Sequence, residues 1–119
     1  MSESIVIYHN PRCSKSRATL ALLRDRGVEP EVVEYLKTPL DADAVRGLLG
    51  ALGMSARDLL RSGEAPYREL GLADSGLAED DLVAAIAAHP ILMERPVVRR
   101  GGRAVVGRPP ERVADLLDT

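Results

Sequence analysis

A chain of 119 residues with 45% apolar and 29% charged side chains has room for one hydrophobic core and the composition of an ordinary globular domain. Sixteen basic against eighteen acidic residues leave a net charge of -2, which excludes a global field for nucleic acid or an anionic membrane. Three tyrosines are the only aromatics, so no stacking platform for single-stranded nucleic acid exists, and no apolar run approaches membrane-spanning length.

Ile5-Val6-Ile7-Tyr8 reads as a short buried strand, broken by Asn10-Pro11. Residues 14–26 read as an amphipathic helix with Ala18, Leu20, Ala21 and Leu23 inward, stopped by Gly27. Glu31 to Tyr35 reads as a second, half-buried strand. Thr38-Pro39-Leu40-Asp41 carries the marks of a helix start, and Ala44, Val45, Leu48, Leu49 and Leu52 form the inward face of that helix up to Gly53. Ser55-Ala56-Arg57-Asp58 repeats the capping pattern ahead of a short helix with Leu59 and Leu60. Residues 62–78 are loop-rich, with a small turn around Tyr67 to Leu70. Glu79 to Ala88 is a further helix with Leu82, Val83, Ile86 and Ala87 inward, ended by His89-Pro90. Val97-Val98 and Ala104-Val105-Val106 are strands around a Gly101-Gly102 turn, and Gly107-Arg108-Pro109-Pro110 leads into a last helix with Val113, Leu116 and Leu117 inward.

The order β-α-β, helices, β-β-α predicts an α/β fold: a thioredoxin-like four-stranded mixed sheet with a helical insert between strands two and three. The expectation is one thioredoxin-like domain over 1–119, its insert covering about 38–90. No signal peptide is expected from the N-terminal residues, and the lone cysteine fits a reducing, cytoplasmic setting. Two histidines and one cysteine far apart in sequence give no metal-ligand spacing, so neither a metal nor a bound cofactor is expected.

That cysteine, Cys13, sits where the first strand turns into the first helix. There it meets the unpaired backbone N–H groups and the positive dipole end of the helix. Arg12, Lys15 and Arg17 add cationic side chains, and His9 can add another. All favour thiolate over thiol, so the pKa is expected below about 8.5. A lone cysteine is most often a small buried hydrophobe, but Cys13 belongs to neither core stripe. A reactive thiolate without a second cysteine points to chemistry completed by an external thiol.

Four separated blocks now fall into order: Tyr8-His9-Asn10-Pro11-x-Cys13-x-x-Ser16-Arg17; then Leu59-Leu60-Arg61, Pro66-Tyr67 and Leu70-Gly71-Leu72; then His89-Pro90-Ile91-Leu92-x-x-Arg95-Pro96; and Gly107-Arg108-Pro109. With them the chain resembles the glutaredoxin-coupled arsenate reductases, short bacterial branch, from about Ile5 to about Ala114. The resemblance implies that Cys13 attacks the arsenic of arsenate and that Arg61, Arg95 and Arg108 hold the oxyanion. It implies a cis peptide before Pro96, which sets Arg95 against the thiol. It implies glutathione as co-substrate and glutaredoxin as the partner that completes reduction to arsenite. Ser14 and Lys15 replace small uncharged residues of the best-known members, and the chain ends at Thr119 without their C-terminal extension.

Planar guanidinium groups suit a tetrahedral oxyanion better than ammonium groups do. Taken singly, Arg61, Arg95 and Arg108 fit solvated surface charges; their placement at element ends, two of them beside Pro96 and Pro109, raises them to candidates. His9 is a candidate for tuning the thiolate or carrying a proton. Ser16 is a candidate hydrogen-bond donor to the thiolate, and Asn10 shapes the turn with a secondary part in anion binding. Two other readings fit the same fold. One is a redox-linked regulatory module related to RNA polymerase-binding thioredoxin-like proteins, which use a Cys-x-x-Cys pair where this chain has Ser16. The other is a general glutathione-dependent thiol reductase.

Overall fold

The structure, a computed structural model, describes residues 4–117; the N-terminal residues before these, and the chain end at Thr119, lie outside them. The chain divides into two compact units. One joins residues 1–38 to residues 95–119, and the other is Pro39–Glu94.

The first unit is built on Ile5–Tyr8 (β1), Glu31–Val33 (β2), Val97–Arg100 (β3) and Arg103–Val106 (β4). Their order in the sheet is β2-β1-β3-β4. β1 runs parallel to β2 and antiparallel to β3, with Ile7 opposite both Val32 and Val98. β3 and β4 form the hairpin turned by Gly101, whose φ of 59° is a value other residues seldom adopt. This is the mixed, thioredoxin-like α/β sheet expected from the sequence. β2 is shorter than the sequence suggested, and as an edge strand it leaves Glu31 and Val32 exposed.

Ile7, Leu23, Val98, Val113 and Leu116 form the core of this unit. Val113 and Leu116 come from a 3-10 turn, Pro110–Val113, that runs into a single helical turn, Ala114–Leu117, in place of one continuous helix. The first helix, Ser14–Asp25 (α1), does not bury the alanines its sequence offers. Ala18 and Ala21 are exposed, and the stripe that turns inward is Ser16, Thr19 and Leu23. The spacing i, i+3, i+7 is still one helix face; its first two members are polar and have hydrogen-bond partners.

Thr19 shows what that satisfaction requires. Its hydroxyl donates to the Lys15 carbonyl at 2.9 Å and faces the Gly107 carbonyl at 3.4 Å. Gly107 N–H in turn donates to Pro96 O at 2.9 Å. A Cβ on Gly107 would lie 2.9 Å from Thr19 Oγ1 and 3.0 Å from Pro96 Cγ, so a side chain there forces neighbours apart. Gly107→Ala is expected to cost about 1–3 kcal/mol, the range for overpacking a filled site. Urea unfolding checks it, and an unchanged midpoint would show that the strand exit yields freely.

The second unit is helical: Ala42–Leu52 (α2), Ala56–Leu59 (α3), Ala65–Glu69 (α4), Glu79–Ala88 (α5) and a 3-10 turn at Pro90–Leu92. α2 starts later than the Thr38-Pro39 signal suggested. Asp41 is its N-cap, accepting from Ala44 N–H at 2.8 Å, and an ionised cap at the positive end of the dipole outcompetes an uncharged one. α4 forms a full turn of helix where a small turn was expected. α2 and α3 pack against α5 through Val45, Leu48, Ala56, Leu59, Val83 and Ile86, all buried. Glu79 ties two of these helices by accepting Ala56 N–H at 2.9 Å. The unit closes on itself where Arg61 N–H meets Leu92 O and Glu94 N–H meets Leu59 O, so its last residue is Glu94. No helix among the described residues is long and apolar enough to cross a membrane.

Candidate active site

The loop between β1 and α1 is fixed from within. Asn10 does most of this: its main-chain oxygen accepts Cys13 N–H at 3.0 Å, and its Oδ1 accepts Arg12 N–H at 3.0 Å. Such side-chain-to-backbone bonds are why asparagine favours turns. Arg17, one helical turn on, donates from Nη1 to Pro11 O at 3.0 Å. The loop therefore holds Cys13 at the N-cap of α1 in extended conformation, with its side chain making no capping bond of its own.

The half-buried sulfur sits where the expected forces meet. Burial is the largest single influence and pushes the thiol pKa up. Against it stand hydrogen bonds from Ser16 N–H, from the Arg95 side chain and from Lys15 N–H, together with the Arg95 charge. The sum holds Cys13 below the usual thiol range. Because the thiolate is the reactive form, alkylation of the native protein by iodoacetamide should reach its plateau at lower pH than a free thiol does, with its midpoint below about 8.5. A rise centred at about 8.5 or higher would contradict it.

His9 and Ser16 lie together, but the chemistry runs differently from the sequence expectation. The Ser16 side chain is fully buried; its Oγ lies 2.6 Å from His9 Nδ1 and accepts Asn10 N–H at 3.0 Å. Ser16 serves Cys13 through its backbone N–H, while its hydroxyl is committed to the loop. Burial is the main cause that lowers the His9 pKa; Glu34 opposes it, and Arg24 and Arg17 reinforce it. His9 is thus neutral at neutral pH and adds no cation to the thiolate site. With Ser16 Oγ already accepting from Asn10, we assign its hydrogen to His9 Nδ1 and the imidazole proton to Nε2.

Arg95 is brought to Cys13, and the Arg95–Pro96 peptide is cis, as the resemblance implied. Its Nε and Nη1 are buried. The Arg108–Pro109 peptide is cis as well, which the sequence reading did not anticipate. Arg108 directly follows Gly107, so its backbone leaves the contact that Gly107 makes with Pro96 and Thr19. Arg61 belongs to the second unit. There its Nε lies 3.3 Å from Glu64 and its Nη1 2.5 Å from Glu94, with four-fifths of the side chain covered. One of these partners, Glu94, lies thirty-three positions away in sequence, beyond any local pattern. Thr19 was missed outright. Its signal was a threonine three residues after Ser16 on the same helix face.

Comparison with known proteins shows which family this sequence and fold resemble. The ArsC family model matches residues 8–116. The chain is 57% identical to an uncharacterized protein of Escherichia coli strain K12, YfgD, covering 98% of this chain and 99% of that one. It is 50% identical to an arsenate reductase of Neisseria meningitidis serogroup A, over 95% of this chain and 97% of the other. Among solved structures, an arsenate reductase from Vibrio cholerae superposes with a TM-score of 0.93 at 48% identity, covering 97% and 98% of the two chains. Since the matched span takes in the Cys13 loop, the Arg95–Pro96 turn and the Gly107–Arg108 exit alike, the chain belongs to the ArsC family.

Proposed function

We propose that this protein is a monothiol arsenate reductase working with glutathione and glutaredoxin in the cytoplasm. The observation that carries the reading is the Cys13 sulfur at the N-terminus of α1, hydrogen-bonded by the Arg95 side chain. One guanidinium against the thiolate favours ionisation and offers further N–H groups to an oxyanion that approaches the sulfur.

The chemistry balances as follows. Cys13 Sγ forms a bond to arsenic, and one arsenate oxygen leaves as water. The glutathione sulfur displaces a second oxygen as water. A glutaredoxin thiol then attacks the glutathione sulfur; the sulfur–arsenic bond breaks with its electron pair left on arsenic, and As(V) becomes As(III). Water frees arsenite and regenerates Cys13. The net change is arsenate and two thiols to arsenite, one mixed disulfide and one water.

In this scheme Arg95 holds the oxyanion, and Arg61 and Arg108 join it on the strength of the family resemblance. Asn10 shapes the loop, and any contact it makes with the anion is secondary. His9 and Ser16 act as positioning residues, since their mutual bond fixes the loop that presents Cys13.

The test is steady-state turnover of arsenate with glutathione and glutaredoxin, run beside reduction of a glutathionylated peptide. Arsenite formation well above the enzyme-free rate is expected. Turnover of the peptide alone would replace this reading with that of a general thiol reductase.

A further inference from the structure

A cleft of about 180 Å³ opens beside the Cys13 loop, lined by Arg12, Glu34, Leu36 and Lys37, with His9 in its wall. It presents two cations, one carboxylate and one exposed apolar side chain, Leu36. Arg12 is the covalent neighbour of Cys13, so this charge pattern borders the thiolate. Lys37 and Glu34 lie 3.5 Å apart in a solvent-exposed pair, which leaves both with hydrogen-bonding capacity for a ligand.

The chain has one cysteine, so a sulfur from outside must complete any reductive cycle at Cys13. We infer that this cleft seats that sulfur's carrier, a small zwitterionic peptide thiol of glutathione's class. The inference rests on the proposed function and adds where the co-substrate binds. Two carboxylates and one ammonium on the peptide complement Arg12, Lys37 and Glu34 in sign and number. The cleft is smaller than the roughly 300–1,000 Å³ that encloses a drug-sized ligand. The peptide therefore lies across it, with the ends held and the thiol free to project toward Cys13. A larger cleft of about 490 Å³ on the other side of His9 also carries two arginines. There the Arg17 guanidinium is committed to Pro11 O and Arg24 is paired with Glu29, so both of its cations are already engaged within the chain.

The kinetic test compares arsenate turnover driven by glutathione with that driven by 2-mercaptoethanol, which lacks all three charges. Wild type should favour glutathione, and Lys37→Glu should lower the glutathione-to-mercaptoethanol ratio about tenfold, as expected for one charged contact inverted. A ratio equal to that of wild type would overturn the assignment while leaving the reductase reading intact. The binding test needs no turnover. S-methylglutathione, titrated into the ¹⁵N-labelled protein, should shift the amides of Arg12, Glu34, Leu36 and Lys37, and Lys37→Glu should suppress those shifts. Shifts confined to other residues, or none at millimolar ligand, would overturn it. Turnover failing with both thiols in wild type would sink the reductase reading, and the titration would still decide the cleft.

Discussion

Replacing Cys13 with serine should reduce arsenate turnover to the enzyme-free rate, a loss of about a thousandfold or more, as for removal of other enzymes' nucleophiles. The reason lies in what the site can ionise. Two backbone N–H groups and the Arg95 side chain lower a thiol pKa that starts near 8.5. The same contacts act on a serine hydroxyl that begins far higher, so no useful alkoxide forms, and an uncharged oxygen is a weak nucleophile toward arsenic. Unfolding cannot account for the loss. Cys13 is the N-cap of α1 and makes no capping bond, whereas serine is among the best N-caps. The variant should match or exceed wild type in thermal stability, and the two measurements together isolate the chemistry. Turnover within tenfold of wild type in a folded Cys13→Ser protein would remove the sulfur from the mechanism.

The same residues show how far the sequence could be read. The strand-to-helix junction was legible because Asn10-Pro11 ends a strand and a polar, cationic run opens a helix, and these signals are local. The four-stranded mixed sheet followed from the alternation of elements. The inner face of α1 was not legible. Apolarity pointed to Ala18 and Ala21, yet Ser16 and Thr19 are inside, because Asn10 N–H, His9, Lys15 O and Gly107 O satisfy their hydroxyls. Two of those partners come from the loop ahead of the helix, and one lies eighty-eight residues away from Thr19. A polar residue reads as exposed until its partners are known. The charge state of His9 failed for a related reason: its cationic neighbours were visible, whereas its burial, the dominant influence, is a property of the fold. Arg61 shows the same limit for ion pairs, since Glu94 becomes its partner only when the second unit closes.

Arg95 is where thiolate and substrate demands coincide, so its replacement should be the most costly change short of removing the sulfur. Arg95→Met keeps the length and most of the packing of a partly buried side chain while deleting its charge and donors. Two effects should follow from the one substitution. At Cys13, burial would remain and push the pKa up, opposed only by Ser16 and Lys15 N–H. The alkylation profile should therefore move to higher pH, with the rate at neutral pH falling and the plateau rate retained. At the substrate, loss of a donor to the reacting oxyanion should lower kcat/KM by about 10²–10³-fold, or about 2.7–4 kcal/mol. Arg95→Lys separates these effects. It keeps a charge near the sulfur, so the alkylation profile should return most of the way toward wild type. It lacks the planar fork, so oxyanion affinity should remain impaired. An alkylation profile in Arg95→Met that superimposes on wild type would show that the thiolate owes nothing to this guanidinium, and the link between the Pro96 turn and the chemistry at Cys13 would be broken.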